Sequence, residues 1–252
     1  MLKRSNHNLP INLPRLYIND IIDDHKIIEL KESAFHYLHH VLRKKLEDFL
    51  FVFDGKSGLW KAQITLLSKK SLNLTIIEKI SHFKESPDVC LYFAPLKPKR
   101  LDMMVEKTTE LGVRQFCPII TEFTQTRDIN TEKLHLNVIE ASEQCERLDI
   151  PSFKIIQPLK KALSTYDPTR ILLFADETQN APSIIEVLSA QNCSKIDLLI
   201  GPEGGFSTTE RAYLRSLPFV KPCHLGPTIL RAETAAIFGL SCIMAYKFHG
   251  NS

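Results

Sequence analysis

Apolar and polar residues follow two different rhythms along this chain. Up to about residue 80 the runs are short and the period is two. "WKAQITL" (60–66) alternates as a half-buried strand does, and "DFLFVF" precedes it across "DGKSG", which is turn chemistry, so the pair predicts a hairpin. "SLNLTIIEKI", "RLYI" and "KIIEL" predict further strands, around a helix from about Ser33 to Arg43 with Ser33 as its N-cap. A small, mostly antiparallel barrel over 1–80 fits this pattern. The polar, proline-ended "SHFKESP" (81–87) is expected to be a linker.

From Val89 the rhythm becomes strand, helix, strand, helix. "VCLYFAP" predicts a buried strand. In the helix expected from Arg100 to Leu111, Leu101, Met104, Val105, Thr108 and Leu111 share one face and Gly112 caps the end. "VRQFCPII" predicts the next strand, and Leu134, Val138, Ala141, Cys145 and Leu148 step by four and three as one face of another helix. "FKIIQP", "RILLFADE", "KIDLLIG" and "FVKPCHLG" predict strands, with helices near 182–191, 208–217 and 231–248. Such alternation predicts an α/β domain over 88–252 with a mainly parallel sheet.

The composition, 44% hydrophobic and 24% charged over 252 residues, is that of a soluble globular protein. The first residues show no continuous apolar segment of the signal-peptide kind, and no run approaches the ~20 apolar residues of a membrane span. A cytoplasmic protein is expected. The six cysteines show no Cys-x-x-Cys spacing, which argues against a zinc site or disulfide framework. Net charge is +3, yet residues 1–80 hold 13 Lys and Arg against 9 Asp and Glu, a mild basic asymmetry of the kind seen where a domain faces phosphate.

The candidate chemistry lies in "DLLIGPEGGFSTTE" (197–210): an apolar strand, a glycine-rich turn, then Ser-Thr-Thr-Glu at the mouth of a helix. The glycines stand at 201, 204 and 205, so the dinucleotide Gly-x-Gly-x-x-Gly spacing is absent. Phe206 follows Gly205 where a phosphate loop needs lysine. Glu203 disfavours an anionic ligand and suits a cationic or amine-bearing one. A tight turn without any ligand is the plain alternative. "HLGPTILRAETAAIFGL" (224–240) repeats the device: a strand ends in Gly-Pro and a helix begins at about Arg231.

Together "LLIGPEGGFSTTE" and "LGPTILRAETAA" resemble the ribosomal RNA small subunit methyltransferase E family, in the SPOUT class of S-adenosylmethionine-dependent RNA methyltransferases. "KPKRLDMMVEKTTELGV", "ASEQCERLDIP", "HYLHHVLR" and "FDGKSGLW" extend the resemblance over nearly the whole chain. The sequence departs from the family pattern at Glu47 and Glu146, where glycines are usual, and at Phe123, where an arginine is usual.

The resemblance implies a PUA-like RNA-binding barrel at 1–80 and a SPOUT-type domain at 88–252 with a deep trefoil knot. It also implies a homodimer and methylation of a uridine N3 in 16S rRNA, within the small ribosomal subunit. The implied cofactor is S-adenosyl-L-methionine, with no metal. Its contacts are expected from Ile200, Gly201, Pro202, Glu203, Gly204 and Gly205, from Leu225, Gly226 and Leu230, and from a third wall at Phe174 and Ala175. Arg231 is the candidate catalytic cation beside the uracil oxygens; the other reading is an arginine that merely pairs with Glu203 or Glu233. Arg15, His39, Arg43 and Lys44 are the candidate RNA contacts. His36 and His40 have metal-ligand spacing on a helix but lack a third ligand, so they join His39, Arg43 and Lys44 either in a phosphate-facing stripe or in a solvated face. Two rival functions remain open at this point: a non-catalytic RNA-binding assembly factor, and a nucleotide-dependent enzyme with a variant phosphate loop.

Overall fold

A computed structural model describes residues 13–178, 180–190 and 195–249. The chain divides between Glu85 and Ser86 into two units. In the first, strands β1 (Arg15–Tyr17), β2 (Ile27–Lys31), β3 (Phe49–Phe53), β4 (Leu59–Leu67) and β5 (Ser71–Ser81) form one sheet in the order β1-β3-β4-β5-β2. Only β1 and β3 pair in parallel; the rest is antiparallel. The predicted hairpin is β3–β4, and its turn is held by Asp54. That carboxylate accepts from the backbone N–H groups of Lys56 and Ser57 at 2.9 and 2.7 Å and from Ile22 at 3.0 Å. Register shifts along β4–β5 bend the sheet around Leu50, Val52, Trp60, Ile64, Leu72 and Leu74. Among the described residues β1 and β2 do not pair, so the barrel is open there.

The helix of this unit differs from expectation. Helix α1 (Glu32–His36) starts straight off β2 with Lys31 as its N-cap and Ser33 already inside, so Ser33 caps nothing. It passes into a π-helical turn over Tyr37–Val41, where the Leu42 N–H reaches the Tyr37 carbonyl at 2.9 Å.

Residues 82–87 have no regular structure. The second unit is built on a parallel sheet ordered β12-β10-β11-β6-β7-β8: β6 (Cys90–Phe93), β7 (Gln115–Ile120), β8 (Ser152–Phe153), β10 (Ile171–Ala175), β11 (Ile196–Ile200) and β12 (Val220–Cys223). β9 (Gln157–Pro158) also pairs with β7. The stretch predicted as one strand, "FKIIQP", is therefore broken into β8 and β9, with Ile155 between them turned out to solvent. Helices α2 (Pro98–Glu110), α3 (Thr131–Cys145), α4 (Leu159–Ser164), α5 (Ile184–Ala190), α6 (Thr208–Ser216) and α7 (Ala232–His249) complete the unit.

Apolar layers lie on both sides of the sheet, as burial of a parallel sheet requires. Leu91, Phe93, Leu198 and Ile200 meet Leu101, Met104 and Val105 of α2 and Leu240 and Ile243 of α7. Leu172, Phe174 and Leu199 meet Leu159 and Leu163 of α4 and Leu214 of α6. Leu134, Val138 and Ala141 of α3 are buried as the spacing predicts, but the next place on that face goes to Ser142, and Cys145 is exposed. At the opposite edge of the strands from the site described below, buried Asp197 accepts from Arg170 Nε at 2.8 Å, Tyr166 OH at 2.9 Å and the Cys90 N–H at 2.7 Å. This tie holds the starts of β6, β10 and β11 together.

Candidate functional site

The five residues of β11 are all buried, and the strand delivers the chain to the glycine turn at its carboxyl end. The Gly205 N–H closes the turn on the Pro202 carbonyl at 2.9 Å. A Cβ at position 201 would come within 2.6 Å of the Phe206 ring, which is itself buried and set edge-on to Phe174 at 5.1 Å. Gly205 has φ +68, and a side chain there would run into Glu177. Ser207 then caps α6: its hydroxyl accepts from the Glu210 N–H, and the Glu210 carboxylate accepts from the Ser207 N–H at 3.0 Å.

The second turn leaves β12. The His224 N–H reaches the Pro182 carbonyl at 2.9 Å, and the Gly226 N–H lies 3.2 Å from His224 Nδ1. Gly226 has φ +139, and an added Cβ would meet open space. The Arg231 carbonyl accepts from the Ala235 N–H at 2.7 Å, so Arg231 stands at the start of α7.

Between the two turns lies a cavity of about 490 Å³. It opens at the carboxyl ends of β10, β11 and β12, where parallel α/β sheets place their ligands. The structure brings together Ala175, the run Ile200 to Gly205, Leu225, Gly226, Leu230 and Arg231 around it. Phe174 is the exception. Successive side chains of a strand point to opposite faces, so Phe174 is wholly buried against Phe206 while Ala175 reaches the cavity.

Sequence reasoning missed Arg100 at the start of α2. Its guanidinium lines the cavity, 3.4 Å from Glu203 and 3.6 Å from Glu233, whose carboxylate is buried and keeps one oxygen without a hydrogen-bond partner among the described residues. Arg100 thus holds the role that the alternative reading gave to Arg231. Arg231 is exposed at the rim, and its guanidinium has neither an ion pair nor a hydrogen bond among the described residues. Asp176 and Glu177 also line the cavity but are engaged from behind. Burial pushes the Asp176 carboxyl up, and this is outweighed by hydrogen bonds from Arg215 at 2.6 Å and from the Thr178 N–H and hydroxyl, so it is held below the usual carboxylate range. Glu177 pairs with Arg211. Burial, with Cys242 and Asp176 adding to it, raises the Cys223 thiol to about 12, which leaves it no nucleophilic character near neutrality.

In the first unit the four candidate RNA contacts do not form one exposed stripe. Arg43 is exposed, with φ +53. Lys44 and Arg15 are half-buried, Arg15 lying 5.8 Å over the Phe51 ring. His39 is turned inward: its ring stacks on Phe35 at 5.3 Å and its Nδ1 lies 3.4 Å from the Lys44 carbonyl. His36 and His40 are exposed with rings 5.0 Å apart, and no cluster of three metal-ligating side chains occurs among the described residues. Nor is any helix among them long and apolar enough to cross a membrane.

Comparison with known proteins agrees with this architecture. An RNA methyltransferase PUA domain matches residues 30–77 and an RNA methyltransferase domain matches residues 84–244. The ribosomal RNA small subunit methyltransferase E of Rickettsia conorii is 34% identical over 93% of this chain and 96% of its own. That of Buchnera aphidicola is 30% identical over 92% and 95%. Among solved structures, the same enzyme from Neisseria gonorrhoeae, bound to S-adenosylmethionine, superposes with a TM-score of 0.83 at 25% identity over 93% of this chain and 98% of that one. A methyltransferase from Legionella pneumophila in complex with S-adenosylmethionine gives 0.81 at 30% identity over the same shares. The two domain matches and the full-length relatives together cover nearly the whole chain, and this chain belongs to the ribosomal RNA small subunit methyltransferase E family.

Proposed function

We propose that the protein transfers the methyl group of S-adenosylmethionine to N3 of a uridine in 16S rRNA. The observation that carries the reading is Arg231, a cation without a partner among the described residues, at the rim of a cavity walled by two glycine turns. The cavity suits the cofactor in size and chemistry. Its apolar walls at Ala175, Ile200, Leu225 and Leu230 fit an adenosine, and its backbone turns offer N–H and C=O groups at Gly201 to Gly205 and at Gly226. Glu203 supplies a carboxylate toward the positive end of the ligand, with Arg100 fixing its orientation. When bound, the cofactor supplies a sulfonium methyl already activated for transfer.

The residues then have two tasks. The glycine turns and Arg100 hold the site in one geometry, which is most of what an in-line transfer needs. Arg231 stabilises negative charge on the uracil oxygens as the N3 proton passes to water, and the methyl transfer leaves the demethylated, neutral thioether of the cofactor behind. The first unit adds RNA affinity through the exposed Arg43, with Lys44 next to it in the chain and Arg15 as a separate contact. A homodimer is part of this reading, supported by the exposed Phe238 and Phe248 on α7, a helix whose opposite face is buried in the core. An rRNA substrate places the protein in the cytoplasm, within or beside the small ribosomal subunit.

Calorimetry without added metal tests the cofactor, and mass spectrometry of 16S rRNA from a deletion strain tests the product. Binding of S-adenosylmethionine together with loss of one methylated uridine is the expected result. Tight NAD or ATP binding with no response to S-adenosylmethionine, or unchanged rRNA, overturns the reading.

A further inference from the structure

The turn after β7 carries an aromatic ring that the core does not use. Thr121 and Thr124 are buried and close this turn on each other. The Thr121 N–H donates to the Thr124 hydroxyl at 2.8 Å, the two hydroxyls are 2.8 Å apart, and the Thr124 N–H reaches the Thr121 carbonyl at 3.2 Å. Glu122 donates its backbone N–H to Glu210 Oε1 at 2.9 Å, and Glu210 Oε2 accepts from Ser207 at 3.0 Å. The turn is therefore fastened to the capping box that ends the first glycine loop.

Phe123 stands between these anchors. Its Cβ lies so close to Gly204 that a Cβ at 204 would come within 3.1 Å of it, yet the side chain is 45% exposed. Holding a large apolar ring in water on a fixed turn beside the cavity wall forgoes the stabilisation that its burial would bring. Arg127 follows in the same irregular segment, exposed and without an ion pair among the described residues. An aromatic ring held on a fixed turn, followed four residues later by a guanidinium with no ion pair among the described residues, is a combination that suits single-stranded nucleic acid: every base has a face to stack, and every phosphate a charge to meet.

We propose that Phe123 is a stacking platform for an unpaired base of the RNA segment that approaches the cavity, with Arg127 on the phosphates of that segment. Phe123 is a positioning residue here, acting on the substrate beside the glycine loop. The proposal rests on the RNA methyltransferase reading above and adds to it the surface that holds the RNA strand.

The test is methylation kinetics on small-subunit RNA from a strain lacking the modification, with cofactor titration and thermal melting in parallel. Phe123→Ala should raise the KM for RNA about tenfold, with kcat and the cofactor Kd within about twofold. The salt dependence of RNA binding should keep its slope, because no phosphate contact is lost. Phe123→Trp should restore the KM, and Phe123→Leu, apolar but without a ring, should not. Arg127→Gln should lower the salt slope by about one. An unchanged KM in Phe123→Ala overturns the proposal. So does full rescue by leucine, which means plain packing, or a loss that follows melting temperature or oligomeric state instead of the ring. If the wild-type protein transfers no methyl group, the methyltransferase reading fails. Fluorescence anisotropy of the same variants on the same RNA then judges the ring separately, by whether tryptophan alone restores affinity.

Discussion

The two glycine turns that wall the cavity look alike in sequence and differ in what surrounds them. The first is packed from behind. Gly201 faces the buried Phe206 ring, Gly204 faces Phe123, Gly205 faces Glu177, and the one charged residue of the turn, Glu203, is held by Arg100. The second is open. Among the described residues, apart from its own chain neighbours, Gly226 has no atom within 4 Å of where a side chain would begin, and the charge at its end, Arg231, is unpaired. A glycine in the first turn answers to the protein; a glycine in the second answers to its own backbone angle and to whatever enters the cavity. The first turn is thus a fixed wall, and the second carries the group left free to act on a substrate.

The largest effect that can break this comparison is at Arg231. If its free charge serves the developing uracil anion, Arg231→Ala should slow single-turnover methylation by roughly 10²-fold. Cofactor affinity and melting temperature should barely move, because no ion pair is lost. Lysine should rescue only in part, since a point charge lacks the planar fork. A near-normal rate at saturating cofactor and RNA would remove Arg231 from catalysis, and a joint loss of melting temperature and rate would make it structural.

A smaller effect separates the glycines. Gly201→Ala drives a methyl into a buried ring, an overpacking that costs about 1–3 kcal/mol, or a fall of about 2–4 °C in melting temperature for each kcal/mol. Cofactor affinity should fall with it. Gly226→Ala meets no neighbour, and only its φ of +139 is strained, at about 1 kcal/mol. Its cost should appear chiefly as weaker cofactor binding in calorimetry, with melting less affected than in Gly201→Ala. The reverse order would mean that the packed and open turns have been assigned the wrong way round.

Most of the second unit was legible from period and punctuation, because amphipathic helices and buried strands with glycine ends have few other readings. The cavity followed from "GPEGG" and "LGPT" for the same reason. What the sequence hid was long-range or geometric. Arg100 stands 103 positions before Glu203, and no local pattern joins them. Phe174 was misplaced although strand alternation alone separates it from Ala175. The π turn at Tyr37–Val41 carries no compositional mark, yet it turns His39 onto Phe35 and leaves Arg43 more exposed than Lys44. Glu47 and Glu146 were visible as departures from a family glycine, and the structure gives both the left-handed angle that glycine would favour, φ +71 and +65.

That last pair supplies the smallest test and the control for the two turns. If left-handed backbone by itself is what Gly226 tolerates, then a residue that holds such an angle without glycine should gain from the reverse change. Glu146 ends α3 in a left-handed C-cap, where a side chain costs about 1 kcal/mol and glycine is the usual choice. Glu146→Gly should therefore raise stability by up to about 1 kcal/mol, some 2–4 °C in melting temperature. Glu146 does not line the cavity, so the cofactor Kd should be unchanged. Melting and calorimetry on the one variant read both numbers. A loss of stability would show that contacts of the Glu146 side chain outweigh its backbone strain, and the strain assigned to alanine at position 226 would then need a direct measurement of its own.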